Sequence, residues 1–268
     1  MDPRNFKLHS AKELTPHGLC PGKRKLAPQG AQVPGALWGA QAEGNLPAGP
    51  ADFLTLALRF QQLIVLYEST VKSVLTQLEI FQEDFRVKGA HVPIQSCSSR
   101  IKEPLSIVRK LRKQGVELSL ENIQNSLNDI AGVRVICPYL EDLYAVRDLL
   151  VSWRDFTLVE EKDYVRSPKP SGYRSLHLIA DVTVHLSSGV QKARCEIQLR
   201  TIAMDSWATL EHQLRYKSKG TVSAEVANDL VKCSEMLFAS DLKMQQIAET
   251  LGVFEQISRG PESIKFFR

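Results

Sequence analysis

Residues 193–200, ARCEIQLR, alternate without a break. As a strand, this stretch turns Ala193, Cys195, Ile197 and Leu199 to one side and Arg194, Glu196, Gln198 and Arg200 to the other. A chain with such a strand needs an apolar cover on one face of its sheet. The other face stays polar, either solvated or lining a site. Residues 167–178, SPKPSGYRSLHL, pose the same choice. Turn-formers surround Lys169, and a predicted strand then shows Tyr173, Ser175 and His177 on one face, with Arg174, Leu176 and Leu178 on the other. A third apolar run, residues 130–137, has strand length and a proline stop, with Asp129 at its mouth.

Helical patterns surround these strands. Phe53, Leu56, Phe60, Leu63, Tyr67, Val71, Val74, Leu78, Phe81 and Phe85 recur at steps of three and four, an apolar stripe for one long helix or two in line. Pro104 opens and Gly115 closes a short helix. LEDLYAVRDLLVSW is helical, segment 179–187 reads as the hairpin partner of the Tyr173 strand, and helix resumes from Met204 to about Leu251 with a break at KSKG. Met204, Trp207, Ala208, Leu210 and Leu214 form the expected core stripe of the first of these helices. The fold class is therefore α/β, more closely α+β: a mixed β-sheet flanked by helices. Residues 1–50 hold seven of the thirteen prolines and seven of the fifteen glycines, with no periodicity, and read as a disordered leader. The expected domain spans 51–252, with a tail at 253–268.

The net charge of +4 suits anionic ligands but does not by itself point to nucleic acid. Five scattered cysteines without a C-x-x-C argue against zinc and against a disulfide framework, and no secretory h-region is present, so the expected compartment is the cytoplasm. Arg100, Lys102, Arg109, Lys110, Arg112 and Lys113 crowd one segment, with Lys102, Arg109 and Lys113 roughly on one face and Lys110 offset. Such a run is either a solvated basic face or, with Arg134 and Lys169, a polyphosphate cradle large enough for two nucleotides. Asp129 and Glu196 at strand ends are the donor types that Mg²⁺ takes from a protein.

Five blocks, SSRIK, DIAGVRVIC, DY…SPKPSGYRSLHL, EIQLRT and AMDSWATLEHQLRYK, occur in an order and spacing that resembles the synthetase domain of the Rel/SpoT homologues, most closely the small alarmone synthetases, over about residues 55–250. The resemblance implies a nucleotidyltransferase-like synthetase fold that moves the β,γ-pyrophosphate of ATP to the 3′-hydroxyl of GDP or GTP and releases AMP. It implies Asp129 and Glu196 as the Mg²⁺ carboxylates, with Glu196 also polarising the 3′-hydroxyl. Arg100 and Arg134 then sandwich the ATP adenine, near Lys102, Lys110 and Lys113 at its phosphates. Tyr173 stacks on the acceptor guanine, with Lys169 and His177 at the phosphates, Gln198 and Arg200 on the floor, Asp205 reading the base, and a flexible PKPSG loop closing over the ligand. Ser206 departs from the aromatic common at its position. The resemblance further implies a homotetramer, with alarmone or RNA as an effector. No His-Asp dipeptide, the mark of the hydrolase half of the long enzymes, occurs. The rival readings are a catalytically weak nucleotide- or RNA-binding regulator and a nucleotidyltransferase that releases pyrophosphate.

Overall fold

A computed structural model describes residues 50–218 and 222–254; the expected leader up to residue 49, the second half of the KSKG break and most of the tail lie outside them. The described residues all belong to one compact unit. Eleven elements follow in order among the described residues: α1 (Pro50–Val87), β1 (Ser96–Ile101), α2 (Pro104–Gln114), α3 (Leu120–Ser126), β2 (Ala131–Cys137), α4 (Leu140–Ser152), β3 (Phe156–Asp163), β4 (Leu176–Leu186), β5 (Gly189–Thr201), α5 (Ile202–Lys217) and α6 (Ala224–Thr250). The strands form one mixed sheet, β1-β2-β5-β4-β3, antiparallel except for the central β2–β5 pair.

The apolar stripe of α1 makes one continuous helix. It packs across β1, β2, β4 and β5, burying Phe60, Leu63, Tyr67, Val71, Val74 and Leu78. Beneath it lie Val133 and Val135 of β2, Leu178 and Val182 of β4, and Cys195, Ile197 and Leu199 of β5. Leu143, Val146 and Leu150 of α4 join the same core. The alternation expected in β5 is present: Ala193, Cys195, Ile197 and Leu199 are buried, while Arg194, Glu196 and Gln198 are half-buried on the other face. Burial pushes the Cys195 thiol up to about 12, so it packs as an inert apolar group. Among the described residues, no helix is long and apolar enough to cross a membrane.

Three strand assignments need correction. β4 begins at Leu176, after Tyr173 and Ser175, and continues unbroken to Leu186. Segment 179–187 is thus the continuation of that strand, and its hairpin partner is β5, joined through the two-residue Ser187–Ser188 turn. β1 and β3 have no counterpart in the sequence reading. Both are edge strands: β1 (SCSSRI) leaves four of its six residues exposed, and a register shift between Leu158 and Glu160 breaks the alternation of β3. The expected core stripe of α5 is also shorter, because Met204 and Trp207 are buried but Leu210 and Leu214 are about half exposed. Trp207 Nε1 donates to Leu230 O and ties α5 to α6.

The loop before β4 is closed by backbone hydrogen bonds and tied to α6. Lys169 N donates to Tyr173 O at 3.1 Å and Gly172 N to Lys169 O at 2.8 Å. Ser234 of α6 donates to Gly172 O. Gly172 sits at φ +88°, and a Cβ there would lie 3.1 Å from Ser234 Cβ and 3.2 Å from Val231 Cα. Backbone strain and crowding against a helix backbone act together at this position. Gly172→Ala is expected to destabilise the fold by about 1–3 kcal/mol, measured by urea denaturation; unchanged stability would show that the loop yields freely.

Candidate functional site

The polar face of the sheet is built by register. Gly132 of β2 pairs with Arg100 of β1 on one side and Glu196 of β5 on the other. Arg134 pairs with Ser98 and Gln198 in the same way. Between these strands lies a cleft of about 190 Å³, lined by Arg100, Asp129, Gly132, Arg134, Glu196 and Gln198 together with Ser98, Ser99 and Val133. Gly132 has no side chain to fill it. Arg100 and Arg134, diagonal neighbours on one face, stand at its outer side.

Asp129 enters the cleft from a short connector between α3 and β2. Its Oδ2 accepts from Lys102 Nζ at 2.8 Å. Lys110 Nζ stands 2.8 Å from Oδ1 as an ion pair, yet that buried oxygen has no hydrogen bond of good geometry. Burial pushes the Asp129 pKa up, but the two ammonium groups outweigh it and hold the carboxyl below its ordinary value. Lys110, which sequence reasoning placed apart, is therefore the α2 cation that joins Lys102. Ile107, Val108 and Leu111 turn inward, which leaves Lys110 at the boundary and Arg109 outward. Lys113 is exposed one turn beyond Lys110 and has no ion pair among the described residues.

Glu196 has a different neighbourhood. His177 Nδ1 lies 3.1 Å from its Oε1, and Gln198 Nε2 donates to its Oε2 at 3.1 Å. Burial pushes its pKa up, but the contact with His177 and then the Gln198 amide lower it, against the opposing charge of Asp129. The net effect keeps Glu196 ionised. His177 Nε2 is 2.8 Å from Tyr173 Oη, which in turn accepts from Arg200 Nη2 at 2.8 Å. With the Tyr173 lone pair engaged by Arg200, its hydrogen is free for His177 Nε2. The imidazole then carries its proton on Nδ1, facing Glu196.

Arg200 is the hub that sequence reasoning placed on the floor without a further role. Nearly buried, it donates to Tyr173 Oη, to Gln198 Oε1 at 2.9 Å and to Asp205 Oδ1 at 2.9 Å. Asp205 also pairs with Arg134 at 3.3 Å. Burial and the like charge of Arg200 lower the Arg134 pKa, with Asp205 opposing and Arg100 adding to the fall. This crowding of guanidinium groups favours an incoming anion. Lys169 lies with Nζ 4.9 Å from the Tyr173 ring centroid and 4.5 Å from that of Tyr164. Tyr164 also meets the His177 ring edge-on at 5.3 Å. Its one signal in the sequence is the DY pair before the loop. Every expected site residue except Lys113 thus lines the cleft or joins the network beside it.

A polar sheet face with two ionised carboxylates and converging cations suits polyanionic ligands held through charge. A profile described as a region found in RelA / SpoT proteins matches residues 99–221. GTP pyrophosphokinase YwaC of Bacillus subtilis (strain 168) is 37% identical over 193 residues, 72% of this chain and 92% of that protein. Two solved structures have similar folds. Small alarmone synthetase 1 from Bacillus subtilis bound to its product pppGpp has a TM-score of 0.66 at 33% identity, covering 72% of this chain and 98% of that one. The same protein bound to AMPCPP has a TM-score of 0.61 at 30% identity, covering 72% and 97%. The chain belongs to the RelA/SpoT family of GTP pyrophosphokinases.

The electrostatics of Asp129 have a measurable signature. Its carboxyl is held below the ordinary value, so its ion pairs stabilise the fold fully at neutral pH, and that contribution is lost as pH falls through the depressed folded value. Asp129→Asn is expected to lower stability at pH 7, with the gap to the unsubstituted protein closing in acid. Denaturation midpoints from pH 7 down to pH 3 check this; a gap independent of pH would exclude the pairing.

Proposed function

We propose that this protein is a (p)ppGpp synthetase, transferring the β,γ-pyrophosphate of ATP to the 3′-hydroxyl of GDP or GTP with release of AMP. One observation carries the reading: Asp129 and Glu196 line a single cleft, flanked by two arginines on the same sheet face. Family membership and the names of the relatives support it. A binder without chemistry has no need of two carboxylates placed in this way.

Among the described residues, no three His, Cys, Asp or Glu side chains converge as a metal cluster. Mg²⁺ suits this arrangement, because it takes one or two carboxylates from a protein and completes its octahedron with phosphate and water. Asp129 and Glu196 fit that role: both line the cleft, and Asp129 Oδ1, 2.8 Å from the Lys110 ammonium, makes no well-aligned hydrogen bond. When bound, Mg²⁺ would neutralise the phosphates and polarise the reacting phosphoryl group.

The chain's own residues supply position and charge. Arg100 and Arg134, as diagonal cross-strand neighbours, stand roughly 7–8 Å apart in such pairs generally. A flat adenine in contact with both planes needs about that gap. Lys102 and Lys110 can exchange Asp129 for the ATP phosphates, with Lys113 beyond them along α2. On the other side of Glu196, the Tyr173 ring offers a stacking surface for the guanine, with Lys169 above it for the acceptor phosphates. Asp205, on the same arginine network, faces the base as an acceptor for its N–H groups.

Glu196 is the base for the 3′-hydroxyl. Each of its oxygens accepts one hydrogen bond within the protein and retains a lone pair, so the group can take the proton as the new P–O bond forms and AMP departs. Exposed apolar side chains such as Leu58, Val65, Leu210, Leu214 and Met236 on α1, α5 and α6 support assembly as a homotetramer. A cytoplasmic setting and an alarmone or RNA effector complete the proposal.

The decisive experiment incubates the protein with γ-labelled ATP, Mg²⁺ and GDP or GTP. Label is expected in guanosine tetra- or pentaphosphate with stoichiometric AMP. Release of free pyrophosphate would mark nucleotidyl transfer instead, and unchanged ATP in a folded sample would overturn the reading. Glu196→Gln is expected to lower kcat by about 10²–10⁴-fold without unfolding the protein. Tyr173→Ala is expected to raise the acceptor KM roughly ten-fold with a smaller effect on the KM for ATP.

A further inference from the structure

Arg194 and Asn128 have no part in the reaction as proposed, and neither lines the cleft. They nevertheless join the elements that carry its two carboxylates. Arg194 lies two residues before Glu196 on the same face of β5. Its Nε and Nη2 donate to the two oxygens of Asp181 on β4, at 2.6 and 3.1 Å. The remaining arm, Nη1, donates to Asn128 Oδ1 at 3.1 Å. Asn128 is the residue immediately before Asp129.

The connector 127–130 has no helix or strand of its own. Leu127 and Ile130 anchor it below in the core, and Lys102 N donates to Ile130 O at 2.8 Å. Those contacts fix its ends, and Lys102 and Lys110 hold the Asp129 carboxylate itself, but none of them reaches β5. The Arg194–Asn128 bond ties the connector to β5. Asp181 matters because it fixes the guanidinium plane with two bonds, so the third arm has one direction in which to point. A lysine ammonium could reach one partner but could not hold this fork.

We propose that Arg194, oriented by Asp181, is a positioning residue that sets the separation of the Asp129 and Glu196 carboxylates through Asn128, and so tunes the affinity of the cleft for a divalent cation that enters with a nucleoside triphosphate. One strand then governs both carboxylates: Glu196 through its own backbone, and Asp129 through the arm of Arg194. The inference rests on the proposed synthetase site, and its test does not depend on turnover.

The test titrates Mn²⁺ by electron paramagnetic resonance in the presence of α,β-methylene-ATP, using the full chain. Asn128→Ala is expected to weaken Mn²⁺ binding roughly ten-fold, the scale typical for losing a group that orients a metal ligand. Asn128→Asp keeps an oxygen facing Arg194 and is expected to restore most of the affinity. Arg194→Lys, which keeps the charge beside Asp181, is expected to weaken binding as Asn128→Ala does. It also preserves the test if the alanine variant does not fold. Thermal melts accompany each variant: a lowered Tm with unchanged Mn²⁺ affinity would reduce the contact to a structural one and overturn the proposal. Absence of nucleotide-dependent Mn²⁺ binding in the unsubstituted protein would overturn the metal site itself, and this inference with it.

Discussion

The parallel pairing of β2 and β5 is the constraint on which the rest of the polar face depends. It is the one parallel ladder in the sheet, and it sets Gly132 beside Glu196 and Arg134 beside Gln198. Because β2 and β5 run the same way, the connector entering β2 delivers Asp129 at the end of the ladder from which β5 runs toward Glu196, so that both line one cleft. An antiparallel pair would bring in the second carboxylate from the opposite end of the sheet. The neighbouring strands then add their side chains by ordinary cross-strand register, Arg100 from β1 and His177 from β4.

Charge on this face is balanced in two separate ways. Asp129 is neutralised by two lysine ammonium groups, whereas Glu196 is held by an imidazole and an amide within a chain of bonds that runs through Tyr173, Arg200 and Asp205 to Arg134. Lysines on long stems can change partners at little cost, but a buried arginine with three fixed acceptors cannot. One side of the cleft is therefore adaptable and the other stiff. That asymmetry fits a reaction in which a flexible polyphosphate must be drawn against a hydroxyl held in place.

Much of this was legible in the sequence, and the rest was not, for physical reasons. The alternation of β5, the stripe of α1 and the caps at Pro104 and Gly115 were readable because each follows a local period or a local backbone requirement. β1 and β3 were not. An edge strand buries little, so its sequence carries no apolar alternation, and a register shift removes what β3 had. Periodicity alone set Lys110 apart from Lys102, because its direction depends on which face of α2 the core takes, a tertiary fact. The bonds of Arg200, the packing of Tyr164 against His177 and the Arg194 fork were hidden because partners from different elements leave no mark in the local pattern. The family blocks supplied the site residues that periodicity could not.

The bond between Ser234 and Gly172 has a mechanical consequence. With the turn closed on itself and fastened to α6, residues 169–173 are tied to that helix. Lys169 and Tyr173 lie on the turn, while the exposed apolar side chains Met236, Leu242 and Met244 lie along the helix. A partner seated on those side chains would rest on the same helix that holds the turn in place.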